Sequence, residues 1–288
     1  MNLLPFIVAG LVVGSLFALS GVGMLVLYRT TGVLNFGYGA LGAISAMLAW
    51  QLVELRLQPV LAYAIGILTA TALSLLFGFL AGPFLATVNG LTKATATLGL
   101  ALVLLGAMLF LWNDKARTLR LASDFIGFQL GTRITLTQII CLSLALVMVI
   151  VTSIYLRRSP TGTAMRALAS DRELASMLGI RVRRVELLAW TVSGALGGIS
   201  GLLLASQTRL EPVFLTFIVI PVLAAVVVGR FRSLWGTLLG GLAIGVIQSV
   251  ASAFSATSSF SNATPFVVAT LVILYLQRRK VVTIEVAR

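Results

Sequence analysis

The sequence predicts an all-α fold: a polytopic transmembrane helical bundle of about eight or nine spans, carrying one short helix in a cytoplasmic loop. Three observations lead there. Of 288 residues, 59% are hydrophobic and only 10% charged, where a soluble domain carries roughly 25% charged residues. Runs such as Leu3 to Leu27, Val60 to Leu80 and Ile139 to Tyr155 contain no ionised side chain, and ~20 apolar residues suffice to cross a hydrocarbon core as a helix. The 21 basic residues are confined to short clusters between these runs, the pattern of orientation signals rather than of a nucleic-acid surface.

In chain order the spans are expected near 5–27, 34–53, 59–81, 92–112, 136–156, 186–206, 213–229, 234–252 and 263–277. The first has no basic residue ahead of it and no small-residue cleavage site, so it is expected to be retained rather than removed as a signal peptide. The seventh carries Pro212 at its start and Pro221 within it, which predicts a broken or partial crossing. Glycines at four-residue spacing (Gly10/Gly14, Gly197/Gly201, Gly241/Gly245) are expected to let helices approach closely.

Charge sets the orientation. The 157–185 loop holds seven arginines; with that loop in the cytoplasm, Arg29, Lys93, Arg230, Arg232, Arg278, Arg279, Lys280 and Arg288 join it. Fifteen cations then lie inside and six outside, as the positive-inside rule requires. The N-terminus is expected outside and the C-terminus in the cytoplasm.

Missing residues exclude several activities. There is no histidine, and the one cysteine, Cys141, sits in an apolar run, which argues against disulfides, Cys/His metal sites and His-based catalysis within the chain. Carboxylates fall at span ends or in loops, so the buried relays of proton-coupled carriers are lacking. None of the three lysines follows a glycine, and the phosphate-binding G-x-x-x-x-G-K-[ST] motif is therefore absent. Uphill transport would draw its energy from another chain.

Two segments stand out as candidate sites. In the 157–185 loop, Ser159-Pro160-Thr161-Gly162 reads as a turn ending the preceding helix. Ser170 and Glu173 then match a capping box, and Gly179 falls where a left-handed C-terminal cap belongs. Together they frame a short helix over about 171–178, opened by Asp171 at the positive end of its dipole. Leu174, Ala175 and Leu178 form its apolar face, suited to a protein groove; the plainer reading is a helix resting on lipid headgroups.

The second segment is "LNFGYGALGA", residues 34–43. Gly37 and Gly39 weaken a helix by roughly 1 kcal/mol each relative to alanine. Asn35, Phe36 and Tyr38 then belong either to a loosely wound helix start, with Asn35 as cap and Tyr38 as interfacial anchor, or to a discontinuous helix bordering a translocation path. Thr95 and Thr97, after Thr92, either line such a path or bond back to helix carbonyls.

Three stretches, "YRTTGVLNFGYGALGAISAM" (28–47), "SPTGTAMRALASDRELASMLGI" (159–180) and "GRFRSLWGTLLGGLAIGVIQS" (229–249), occur in this order. They resemble the permeases of branched-chain amino acid ABC importers, a group that includes urea and amide importers. The resemblance spans nearly the whole chain and implies one transmembrane permease domain over 1–288 of a bacterial inner-membrane protein. It further implies a second, related permease, two cytoplasmic ATPases that hold ATP and Mg, and an extracytoplasmic binding protein that delivers substrate. No cofactor is expected in this chain. The loop helix would be the coupling helix, with Arg166, Ser170, Asp171, Glu173, Leu174, Ala175, Leu178 and Gly179 facing the ATPase. Asn35, Phe36, Gly37, Tyr38, Gly39, Thr95 and Thr97 would border the path. Many relatives carry a small residue and then His after Asn-Phe, where this chain has Gly37 and Tyr38, so the polar group offered there differs.

Arg209 and Glu211, and the 113–135 loop with Asp114, Lys115, Arg117, Arg120, Asp124 and Arg133, are candidates for meeting the binding protein, or simply solvated charges. Asn262 lies in an Asn-Ala-Thr glycosylation pattern, which in an importer of the bacterial type would be a coincidence. The competing reading of the whole chain is a stand-alone channel or ion-coupled carrier for a small polar solute.

Overall fold

The computed structural model describes residues 3–121, 127–129, 133–254, 260 and 263–285. Asp124, Asn262 and Arg288 lie outside the described residues. The fold is helical: α1 (Leu4–Thr31), α2 (Tyr38–Glu54), α3 (Pro59–Leu85), α4 (Gly90–Trp112), α5 (Leu136–Arg158), α6 (Pro160–Ser170), α7 (Arg172–Met177), α8 (Val182–Gln207), α9 (Pro212–Phe217), α10 (Val219–Val228), α11 (Leu234–Ala253) and α12 (Thr264–Glu285). Six of them, α1, α3, α4, α5, α8 and α11, are long and apolar enough to cross a membrane.

One element departs from the all-α expectation. Strands β1 (Gly127–Gln129) and β2 (Arg133–Thr135) pair antiparallel, with Gly127 opposite Thr135. β-branched Ile134 and Thr135 favour extended backbone, and the hairpin runs directly into α5, where Gln138 Oε1 accepts from the Thr135 amide at 3.1 Å.

Helix α1 is the axis of the bundle. It is almost wholly buried, packing on α11 and α8, whereas α3, α4 and α5 leave most of their apolar surface exposed. Exposed leucines, valines and phenylalanines on those three helices are tolerable in lipid, which solvates hydrocarbon as readily as a core does. Small residues set the interhelical distances. A methyl group on Gly14 would stand 2.6 Å from the Gly241 carbonyl oxygen, and one on Gly42 would stand 3.0 Å from Gly201 Cα. The glycine spacing in the sequence thus serves close approach of α1 to α11 and of α2 to α8.

Both irregular spans are interrupted, each for a local reason. Gly32 (φ 67°) ends α1 in a left-handed cap, its amide bonding the Tyr28 carbonyl at 2.8 Å. The second helix therefore starts at Tyr38, four residues later than the expected 34. The seventh span divides into α9 and α10 around Ile218. Pro221 lacks the amide that would reach the Phe217 carbonyl, so the ladder fails there.

Candidate functional site

The break between α1 and α2 is held by side chains standing in for helix hydrogen bonds. Asn35 is fully buried and its Oδ1 accepts from the Gly37 amide at 3.0 Å, an Asx turn that carries the chain into α2. Its Nδ2 is buried without a hydrogen-bond partner. From α4, the Thr97 hydroxyl donates to the Leu34 carbonyl at 2.8 Å and accepts from the Phe36 amide at 3.2 Å. One hydroxyl therefore serves both sides of the break. Thr95 is not brought to it: Thr95 lies exposed and bonds back to the Leu91 carbonyl at 2.8 Å.

Tyr38 is 2% exposed, so it is no interfacial anchor. Its ring lies between α1 and α8, where Gly23 and Gly197 leave room; a methyl group on Gly197 would meet the ring at 3.3 Å. Phe36 is half-buried. Gly39 lies against the Leu215 and Thr216 carbonyls of α9, so the start of α2 abuts the end of the first half of the other broken helix. Sequence spacing gives no sign of this meeting, because 176 positions separate Gly39 from Leu215.

Between the two breaks lies a cavity of about 20 Å³, lined among others by Ser20, Tyr38, Ser200 and Ile218. It has room for about one water. Beyond it, an open and largely apolar cleft of about 500 Å³ runs between α1, α8, α9–α10, α11 and α12. Phe17, Phe214 and Phe217 contribute apolar walls, while Thr208, Gln248 and Ser252 contribute polar groups. The Gln248 Oε1 is buried without a hydrogen-bond partner. Leu204 and Ile218 line both spaces and form the partition between them. Ser20, Ser200, Leu204, Ile218 and Gln248 escaped the sequence reading; a serine or glutamine in an apolar helix, and the residue before a break, were the signals available.

At one end of the bundle, α6 and α7 form a bracket. Ser159 ends α5 and also caps α6, its Oγ accepting from the Gly162 amide at 2.8 Å. The expected turn is thus also the start of an 11-residue helix. Met165 and Leu168 on α6 are buried against the bundle, and Arg166 reaches the Thr163 hydroxyl at 3.3 Å.

The expected capping box is displaced by one residue. Ser170 belongs to the last turn of α6 and donates to the Arg166 carbonyl at 3.2 Å. Asp171, with extended backbone, caps α7 by accepting from the Leu174 amide at 3.0 Å. Glu173 is exposed. At the far end Gly179 (φ 81°) closes a Schellman motif: its amide bonds the Ser176 carbonyl at 3.0 Å, and that of Ile180 bonds the Ala175 carbonyl at 3.2 Å.

The apolar face also differs from the expectation. Ala175 is buried and belongs to the core, while Leu174, Met177 and Leu178 are 55%, 82% and 73% exposed. These three stand at i, i+3 and i+4, the spacing of one helix face. Ala175 stands about 100° around the helix from Leu174, on the side turned to the bundle. The bracket is pinned to α8 by the Arg172–Glu186 ion pair at 3.0 Å.

At the other end, Arg117 and Leu210 exchange backbone hydrogen bonds of 3.0 and 3.1 Å. That bridge sets the described 113–121 part of the loop beside the Arg209–Glu211 segment, so that Arg117 and Arg209 belong to one end of the bundle. The Arg117 guanidinium lies 4.8 Å from the Trp50 ring centroid.

Residues 6–276 match the family model described as "Branched-chain amino acid transport system / permease component". The chain is 28% identical to the probable branched-chain amino acid transport permease protein LivH of Methanocaldococcus jannaschii, over 86% of this chain and 81% of that one. It is 25% identical to the high-affinity branched-chain amino acid transport system permease protein LivH of Escherichia coli K12, over 93% and 91%. Against BraD, the permease protein of the corresponding high-affinity system in Pseudomonas aeruginosa, identity is 26% over 84% of each chain.

Proposed function

Given that this chain belongs to the family of branched-chain amino acid transport permease components, we propose that it admits a branched-chain amino acid, or a closely related small amino acid or amide, through the Phe17–Gln248 cleft. It is a membrane-embedded permease of the ABC importer class and not itself a catalyst. The observation that carries the substrate reading is the cleft's composition: aromatic and aliphatic walls for a branched side chain, with Gln248, Ser252 and Thr208 able to meet an ammonium or a carboxylate.

In this reading solute passes from the cleft, past Leu204 and Ile218, to the cavity at Tyr38 and the Asn35–Gly39 break. Freed backbone groups at discontinuous helices are a common means of meeting polar substrate groups at membrane depth. The exposed Leu174, Met177 and Leu178 face enters a groove on a partner ATPase, which holds ATP and Mg. The basic end carrying α6 and α7 is cytoplasmic, with the N-terminus outside and the C-terminus inside, in a bacterial inner membrane. Counting α2, α9–α10 as one broken crossing, and α12 with the six long helices gives nine spans. A second, related permease completes the path. An extracytoplasmic binding protein docks on the surface joined by Arg117 and Leu210.

Cells lacking this chain should lose high-affinity leucine, isoleucine and valine uptake and regain it on complementation. Unchanged uptake of all three, with loss of another solute, would overturn the substrate assignment.

A further inference from the structure

The segment Gly229 to Ser233, between α10 and α11, has no part in the path or in the docking face, yet it is built at a cost. Arg230 and Phe231 are consecutive non-glycine residues with left-handed φ of 56° and 54°. Such a pair persists only when its surroundings enforce it, and strain of this kind gathers at functional positions. Two contacts enforce it here. Phe231 packs on Tyr28, ring centroids 4.9 Å apart, and the Arg29 guanidinium donates to the Arg232 carbonyl at 3.3 Å.

This arrangement gathers positive charge. Arg29, in the last turn of α1, and Arg166, on α6, line one small cavity together with Leu156 and Met165. The charges of Arg166 and Arg232 both bear on the half-buried Arg29. Among the described residues no carboxylate pairs with any of the three; the ion pair found at this end engages Arg172 and Glu186 instead. Guanidinium groups brought together without a counter-ion repel one another unless an anion joins them.

The surroundings indicate the kind of anion. Arg29 ends a membrane-spanning helix, which sets the cluster at headgroup depth. On α11, which begins two residues after Arg232, exposed Trp235 and Leu239 stand one turn apart on one face and lead away from the same end. Apolar surface for an acyl chain and unpaired arginines at its end are what a phospholipid requires. We infer that Arg29, Arg166 and Arg232 form a binding site for the phosphate of an anionic phospholipid in the leaflet at the α6–α7 end. Guanidinium is suited to phosphate through its planar fork of donors, and basic pockets between membrane helices hold such headgroups elsewhere.

The test uses the assembled transporter in phosphatidylcholine vesicles doped with labelled phosphatidylglycerol, measuring label retained at the protein. Wild type should retain phosphatidylglycerol over phosphatidylcholine, and added salt should reduce the difference. Retention should weaken roughly fivefold for each arginine removed in Arg29→Gln and Arg232→Gln, fall less in the double variant Arg29→Lys/Arg232→Lys, which keeps the charge and loses the fork, and be unchanged by Arg120→Gln at the other end. Equal retention of the two lipids by wild type overturns the site without recourse to any variant. Displacement by inorganic phosphate at concentrations matching the lipid would show a small-anion site and overturn the lipid assignment. So would a glutamine variant that keeps its lipid but sheds a partner chain, because the arginines would then serve that partner's carboxylates.

Discussion

Gly39, in the first turn of α2, lies against the Thr216 carbonyl in the last turn of α9, with the Leu215 carbonyl 2.9 Å from where a methyl group would stand. Two helix interruptions far apart in sequence thus share one point of contact. Adding a methyl group there forces one backbone away from the other, and overpacking of this order costs about 1–3 kcal/mol. Gly39→Ala should lower the thermal stability of the purified protein by several degrees and reduce uptake more than membrane abundance. Unchanged stability and uptake would mean that the two breaks move independently.

Asn35 supports the turn through its Oδ1, a bond worth about 0.5–1.5 kcal/mol. Asn35→Ser offers the Gly37 amide a hydroxyl acceptor and loses the unpartnered Nδ2 without burying a charge, whereas Asn35→Leu removes both. If the Nδ2 meets solute, both variants impair uptake; if Asn35 only shapes the turn, the serine variant transports nearly as well as wild type. Initial uptake rates normalised to membrane abundance separate the two, and the path assignment requires both variants to be impaired.

The partition of Leu204 and Ile218 offers a steric test. Ile218→Ala should widen the passage between the cleft and the Tyr38 cavity, and Ile218→Trp should close it. The tryptophan variant is expected to lose at least roughly tenfold in uptake rate, corresponding to about 1.4 kcal/mol on the barrier, while ATP hydrolysis by its partners continues.

On α7 the exposure pattern separates docking from folding. Leu174→Arg and Met177→Arg should weaken association with the ATPase and leave the membrane-inserted chain intact, because both side chains point away from the bundle. Ala175→Arg should instead disrupt the bracket, since Ala175 is buried. Copurification of the ATPase with each variant, read beside its thermal stability, checks the distinction.

The Arg172–Glu186 pair fixes the bracket to α8. Arg172→Glu and Glu186→Arg should each reduce coupling of ATP hydrolysis to uptake, and the double exchange should restore much of it. A double variant no better than either single one would deny the pair that role.

Much of this architecture is legible in the sequence, because bilayer length and the placement of charge constrain helices strongly. Pro221 announces the break between α9 and α10 through backbone chemistry alone, while Pro212 only opens α9. Sequence alone puts the cap of α7 one residue early, since Ser170 and Asp171 are both good caps and only the length of α6 decides between them. Of the two readings open for Tyr38, the interfacial anchor fails because Gly23 and Gly197 open a slot for its ring, which sequence cannot show. Gln248, Leu204 and Ile218 were invisible for a related reason: their importance comes from the surfaces they share, and those form only when α1, α8 and α11 pack.

The most direct measurement is uptake of labelled leucine by proteoliposomes containing this chain, its partner permease and the ATPases. Leucine should accumulate against its gradient only when ATP is present on the α6–α7 side and the binding protein on the other, and Ile218→Trp should abolish accumulation without abolishing hydrolysis. Leucine flux through this chain alone, without ATP or partners, would contradict the account and identify a channel or independent carrier.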